Sequence, residues 1–466
     1  MTATDRPGAA TAAEEYVAGL LAATTPPERV RARTAAVVAD TVAVARLAAG
    51  NPDIAGMLDA AAPGPSSTVV PGRPAAPEIA AGVNATAAVY HELDEGLRGA
   101  GHPGAHVVPA AVAVAEAEGA PASEVLHAVA LGYQLQADLG RAVTLRPEVH
   151  AHGALGAPAA ALAAARVLRL DAARVAQAVL IAANLAPAGD WSACTGGHTV
   201  RHLFAGQGAQ TGVRAAYLAR AGFTAPAGSL DVAYGIVRGD GGPPRLRRGG
   251  GWAVTQGYLK LWSACAYTHS ALDALAGARA RSPFTAAEVG HIVVRVPAAG
   301  LLVGGVHTRT PLAARFSIPV VLATLVVHGE LNGVIDRARV DSAVLALAGR
   351  ITVRHDPEMD REWPARMPAA VHIALRDGTT VRERVEDPAG PAGAEYPGAV
   401  RDKIRRLGTG DELIGWMAAT APGSPDPGVQ GLFTAAMPAP GAEPPAARGP
   451  AVTDVTGGDA HGRSTT

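Results

Sequence analysis

Alanine fills about a fifth of this 466-residue chain, in long runs broken by Pro and Gly. Alanine has the highest intrinsic helix propensity and gives up no side-chain freedom on folding, so such runs favour a mainly helical build. With 48% hydrophobic and 17% charged residues, the chain is not wholly disordered, and its length allows two to three domains. Lys+Arg 40 against Asp+Glu 41 gives a net charge of −1, so no global basic field points to nucleic acid or an anionic membrane. Two cysteines, Cys194 and Cys265, cannot build a disulfide framework, and a reducing compartment is the simpler reading. Residues 1–23 carry Glu14 and Glu15 and lack a basic start with an apolar core, so they do not read as a signal peptide. The longest apolar stretches, such as 318–327, are too short to span a bilayer. A soluble, cytoplasmic protein is the expectation.

The first half reads as successive helices over residues 12–23, 29–49, 77–90, 107–117, 123–143, 154–168, 172–185 and 207–221, with Asp171 as an N-cap. After Leu230 the texture changes. Residues 291–296 and 351–355 alternate as strands do, and 371–375 followed by Arg376-Asp377-Gly378 and a second run signals a hairpin. Helices are expected between them at 285–289, 320–328 and 341–348, and a last one at 403–419. Residues 438–466, rich in Pro, Gly, Ala and Ser without an apolar period, read as a disordered tail. The expected divisions are a helical domain over 1–257, an α+β domain over 258–398, a helical return over 399–437 and the tail.

Lysine occurs only at 260 and 403; every other basic residue is Arg. An amine can lose its proton when desolvated or placed beside another cation, whereas a guanidinium keeps its own, so each Lys invites a reason. Lys403 lies in a charged run that reads as a solvated helix face, while Lys260 sits among Tyr258, Leu259, Leu261 and Trp262. Ionisable residues also cluster in His91-Glu92-Leu93-Asp94-Glu95 with His102 and His106, and in His150-Ala151-His152 ahead of an alanine-rich helix. The first cluster reads either as a solvated acidic loop or as a site. A His at such a helix start can have its pKa lowered by the dipole, which suits acid–base work. Tyr267-Thr268-His269 forms a third group, where His269 alone would more often be structural. No Cys pair or His-Glu-x-x-His supports zinc, so no metal is expected. No Gly-x-Ser-x-Gly elbow or phosphate loop is present.

In order, HELDEG (91–96), GHPGAHVVPAAVAVAE (101–116), HAHGALGAPAAALAAARVLRLD (150–171), TVRHLFAGQGAQTGVRAAYLARAGFTAP (199–226), KLWSACAYTHSALDA (260–274) and ARFSIPVVLA (314–323) resemble the MmgE/PrpD family. That family includes 2-methylcitrate dehydratase, cis-aconitate decarboxylase and iminodisuccinate epimerase, and the likeness runs to about residue 420. It implies a mainly α fold, with an all-helical domain built from both chain ends plus a smaller α+β lid, in a homodimer. It also implies metal- and cofactor-free chemistry on a small carboxylic acid.

By the resemblance, His102, His150 and Lys260 fall on active-site positions. Glu92 and Asp94 fall in the acidic stretch, Arg201 stands where decarboxylase-like members have Lys, and His269 joins the substrate-binding set. Glu92 replaces an Asp, Gly96 a Thr and Val320 a Tyr. These departures alter a carboxylate clamp and a hydroxyl donor, and so argue against a tricarboxylate decarboxylase. The implied activity is a dehydratase acting on a hydroxy acid, such as a polyketide or other secondary-metabolite intermediate rather than methylcitrate. His102 and His150 would be the acid–base pair, and Lys260 and Arg201 the anion binders. A decarboxylase, an epimerase and a non-catalytic homologue are the alternatives.

Overall fold

Local signals bound some of the alanine-rich helices. The computed structural model describes residues 12–434 apart from 23–24, 240, 332–334, 336–339 and 391, so the expected tail lies outside the described residues. The first half forms α1 (Ala12–Leu21), α2 (Glu28–Arg46), α3 (Pro52–Gly56), α4 (Pro77–Val89), α5 (Gly104–Glu118) and α6 (Ala122–Ala142). It continues with α7 (Ala151–Ala154), α8 (Gly156–Val167), α9 (Ala172–Leu185), α10 (Ser192–Gly196) and α11 (Val200–Arg220). Asp171 caps α9 by accepting the Arg174 N–H at 2.9 Å, and Gly119, at φ 65°, stops α5 in the left-handed conformation that glycine tolerates.

Small residues let these helices approach closely. α11 packs on α4, α8 and α9, and α8 also contacts α5 and α6. A Cβ built at Gly206 would lie 2.6 Å from the Gly82 carbonyl oxygen of α4, and one at Gly212 would lie 2.7 Å from the Ala161 nitrogen of α8. Larger residues at either position would push backbones apart in a close-packed interior.

The second region contains α12 (His269–Arg281), β1 (Val289–Val296), α13 (Pro311–Arg315), α14 (Ile318–His328), α15 (Ser342–Ala348), β2 (Ile351–His355), β3 (Ala369–Leu375) and β4 (Thr380–Val385). The sheet order is β2-β1-β3-β4, with β1–β2 parallel and the other pairs antiparallel. Period-2 alternation puts Ile292, Val294, Val371 and Ile373 into one core, against which α12 and α14 pack. The chain ends its described part with α16 (Tyr396–Leu407) and α17 (Glu412–Ala419), both against α2, so Tyr396, Val400, Ile404 and Leu413 join the helical core. The fold is mainly α with a small four-stranded sheet. No helix among the described residues is long and apolar enough to cross a membrane.

Four expectations are corrected. Residues 285–289 form no helix: 286–288 turn and Val289 opens β1, the segment being too short to stand against strand pairing. The helix expected from 207 starts at Val200. The helix expected over 403–419 is two, separated after Gly408, which at φ 63° caps α16. Lys403 is buried rather than solvated, because Tyr396, Val400, Lys403, Ile404 and Leu407 recur at helical spacing on the face that meets α2.

Candidate active site

The acidic segment between α4 and α5 is buried, which overturns the solvated-loop reading: Glu92, Asp94 and Glu95 are each 1% exposed. Several elements hold it there. Lys403 of α16 donates to the Leu93 carbonyl at 2.7 Å and pairs with Asp40 of α2 at 2.7 Å. Glu95 accepts the Gly104 N–H at the start of α5 at 2.6 Å and the Tyr133 hydroxyl at 2.7 Å; burial still pushes its carboxyl up to about 7. Gly96 and Tyr258 exchange backbone hydrogen bonds at 3.1 and 2.7 Å, fastening the segment to the entry of the second region. Glu92 itself adopts φ 52°, a left-handed conformation uncommon outside glycine. Such strain persists only where surrounding contacts over-determine it.

The histidines converge from two sequence clusters. His102 precedes α5 and His150 caps the kinked turn α7. The ring of His152 lies between theirs, stacked at 4.5 Å from His102 and 4.9 Å from His150. His102 Nδ1 is 2.8 Å from Asp94 Oδ2 and 2.8 Å from the Glu95 carbonyl oxygen. Both neighbours are acceptors, so Nδ1 carries the proton and Nε2 is left as a base. His150 has the opposite arrangement: its Nδ1 accepts the His152 N–H at 3.1 Å, leaving the neutral ring's proton on Nε2. Burial, then Arg201, hold His150 well below the usual histidine range. His106 is saturated, donating to the His102 carbonyl and accepting the Gly153 N–H, both at 2.9 Å, so it ties the two clusters together.

Charges beneath the histidines balance. Glu92 pairs with Arg201 at 2.5 Å, and Lys260 lies 3.4 Å from both Glu92 and Asp94. Burial opposes ionisation of Asp94, but Lys260 and then His102 outweigh it and hold the carboxyl below its ordinary range. Lys260 is likewise destabilised by burial yet raised by Asp94 and Glu92. Two carboxylates and two cations therefore form one buried, internally neutral group.

A cavity of about 340 Å³ opens above this group, lined by Glu92, His102, His150 and Arg201 and walled by residues such as Trp191, Tyr258, Tyr267 and Phe316. Lys260 and Asp94 lie behind this lining. His269 does not reach it; its Nε2 meets the Ala264 carbonyl at 3.2 Å at the start of α12. Val320 is buried in the core of the sheet region, away from the cavity. A larger, more open groove on the outer sheet face, lined by Arg295, His372, Arg382 and Arg384, contains none of the converging groups.

Two participants escaped the sequence reading as individuals. His152 sits in the His-x-His pair, but only the fold stacks it between His102 and His150. Tyr258 explains the missing side chain at Gly96: a Cβ there would lie 2.5 Å from the Tyr258 ring and closer still to its hydroxyl. The phenol thus occupies the space a threonine would fill.

Asp94, His102 and His152 also bring three ligand atoms within 4.8 Å of one another, a grouping that spans sequence clusters and was not foreseen. However, Arg201 lies 3.3 Å from His152 Nε2 and Lys260 3.4 Å from Asp94. A divalent ion would sit against two fixed cations, so this donor set suits a proton better than a metal.

Comparison with known proteins agrees with this organisation. Residues 13–247 match the MmgE/PrpD N-terminal domain and residues 262–410 match the MmgE/PrpD C-terminal domain. A cis-aconitate decarboxylase from Aspergillus terreus strain NIH 2624 / FGSC A1156 is 27% identical over 369 residues, covering 70% of this chain and 74% of that protein. A second Aspergillus terreus cis-aconitate decarboxylase is 26% identical over the same coverage. With both domain models matched in order across most of its length, the chain belongs to the MmgE/PrpD family.

Proposed function

We propose that this chain is a cofactor-independent lyase that removes water from a hydroxy acid, with the helices before residue 258 and from α16 onward as its helical body and the residues between as a lid. The observation that carries the reading is the opposed tautomers of His102 and His150 on one cavity. His102 Nε2, backed by Asp94, takes the acidic proton next to the substrate carboxylate, and Asp94 stabilises the resulting imidazolium. The electron pair moves toward the carboxylate as an enolate, beside Arg201. It then forms the double bond as the C–O bond breaks, and His150 Nε2–H protonates the departing hydroxyl. Exchange with water resets both rings.

Decarboxylation is the second reading, favoured by the two relatives that carry that name. The test is a panel of 3-hydroxy acids incubated in D2O and followed by mass spectrometry. The expected result is water loss and α-deuterium exchange with wild type. His102→Gln should abolish both, and His150→Gln should keep exchange while losing elimination. Exchange that survives in His102→Gln but not in His150→Gln would overturn these roles, and CO2 release without water loss would favour decarboxylation.

A further inference from the structure

We infer that the site takes a hydroxy acid with a single carboxylate and a sizeable apolar or aromatic arm, a conclusion resting on the reading of this cavity as the substrate site. The first ground is charge. At the buried end Arg201 is committed to Glu92, and Lys260 is shared between Glu92 and Asp94. Those four charges cancel, and the buried Arg315, which acts on Glu92, adds one positive charge while His102 stays neutral as the base, so that end carries a net +1. One substrate carboxylate is thereby balanced. A second or third at the same end would be desolvated without a counter-charge, a cost that binding sites avoid.

The rim does not change this count. Arg98 is engaged by Asp387 and by the Ala365 carbonyl, and Arg146 donates to the Ile236 carbonyl from an exposed position where water screens it.

The second ground is the wall. Besides the histidines, the cavity is faced by Trp191, Tyr267, Leu302, Phe316, Trp363 and Met367. Trp191 stacks on His150 at 4.9 Å, and Tyr267 meets both Trp191 and Trp363 ring to ring. Such a surface gains by burying hydrocarbon and offers a second carboxylate no counter-charge. A cavity of about 340 Å³ also exceeds what a short hydroxy acid fills.

The test uses saturated acids that cannot react, so it does not depend on which bond the enzyme breaks. Binding of 4-phenylbutyrate, acetate and propane-1,2,3-tricarboxylate to the full chain is measured by calorimetry at pH 7. 4-Phenylbutyrate should bind at least about tenfold more tightly than either of the others, and Trp363→Ala should remove most of that advantage. Equal or tighter binding of the tricarboxylate, or no advantage over acetate, would overturn the inference. Turnover of 3-hydroxy-5-phenylpentanoate is then followed separately. Binding without water loss defeats the proposed reaction alone, whereas dehydration of a citrate-like acid defeats the present inference and leaves that reaction standing.

Discussion

Replacing Lys260 by methionine removes a fully buried ammonium while keeping its approximate volume, and it converts a neutral group into one with an excess carboxylate. Breaking a buried pair by deleting one partner costs about 3–5 kcal/mol, because the stranded charge stays desolvated. The structure adds a pH signature. In the native protein Asp94 is held below its ordinary range, so it contributes stability above the unfolded carboxylate value of about 3.9, lost as pH falls. Without Lys260, the largest interaction opposing burial is gone, and Asp94 is expected to rise above its unfolded value. The penalty is then absent below about pH 4 and grows as pH rises toward the new folded value. Urea titrations of both proteins at pH 5, 6.5 and 8 should show a deficit that widens with pH. Turnover should fall at least about a hundredfold, on the order of 3 kcal/mol, since a protonated Asp94 no longer supports His102 as a base. Lys260→Arg should not restore it fully, because a planar fork does not fit a hole shaped for a point charge. A deficit below about 1 kcal/mol, or one constant with pH, would refute the charge-balance reasoning.

Two further outcomes are expected. Lys403→Met should destabilise by about 3–5 kcal/mol by stranding Asp40, and Asp40→Leu combined with Lys403→Met should recover much of that loss in a double-mutant cycle read by urea titration. EDTA should leave turnover unchanged despite the Asp94, His102 and His152 grouping; loss of activity restored by a divalent ion would reverse the proton assignment.

Period and local chemistry made much of the architecture legible in the sequence. Alanine and valine at helical spacing marked α2, α4, α6, α8 and α9, Asp171 marked a helix start, and Asp377-Gly378 marked the β3–β4 turn. The ordered motifs carried the family, and the ionisable clusters drew attention to His102 and His150. Even the burial of Lys403 was written in the 396, 400, 403, 404, 407 stripe, which the neighbouring arginines obscured. What the tertiary structure alone decided is which groups meet. Lys260 reaches Glu92 across 168 positions, Lys403 reaches Leu93 across 310, and Tyr258 fills the space at Gly96. A residue's periodicity is fixed by neighbours within one or two turns. Its charge state, tautomer and role depend on partners brought from distant segments, because desolvation and Coulomb energy follow distance in space rather than along the chain.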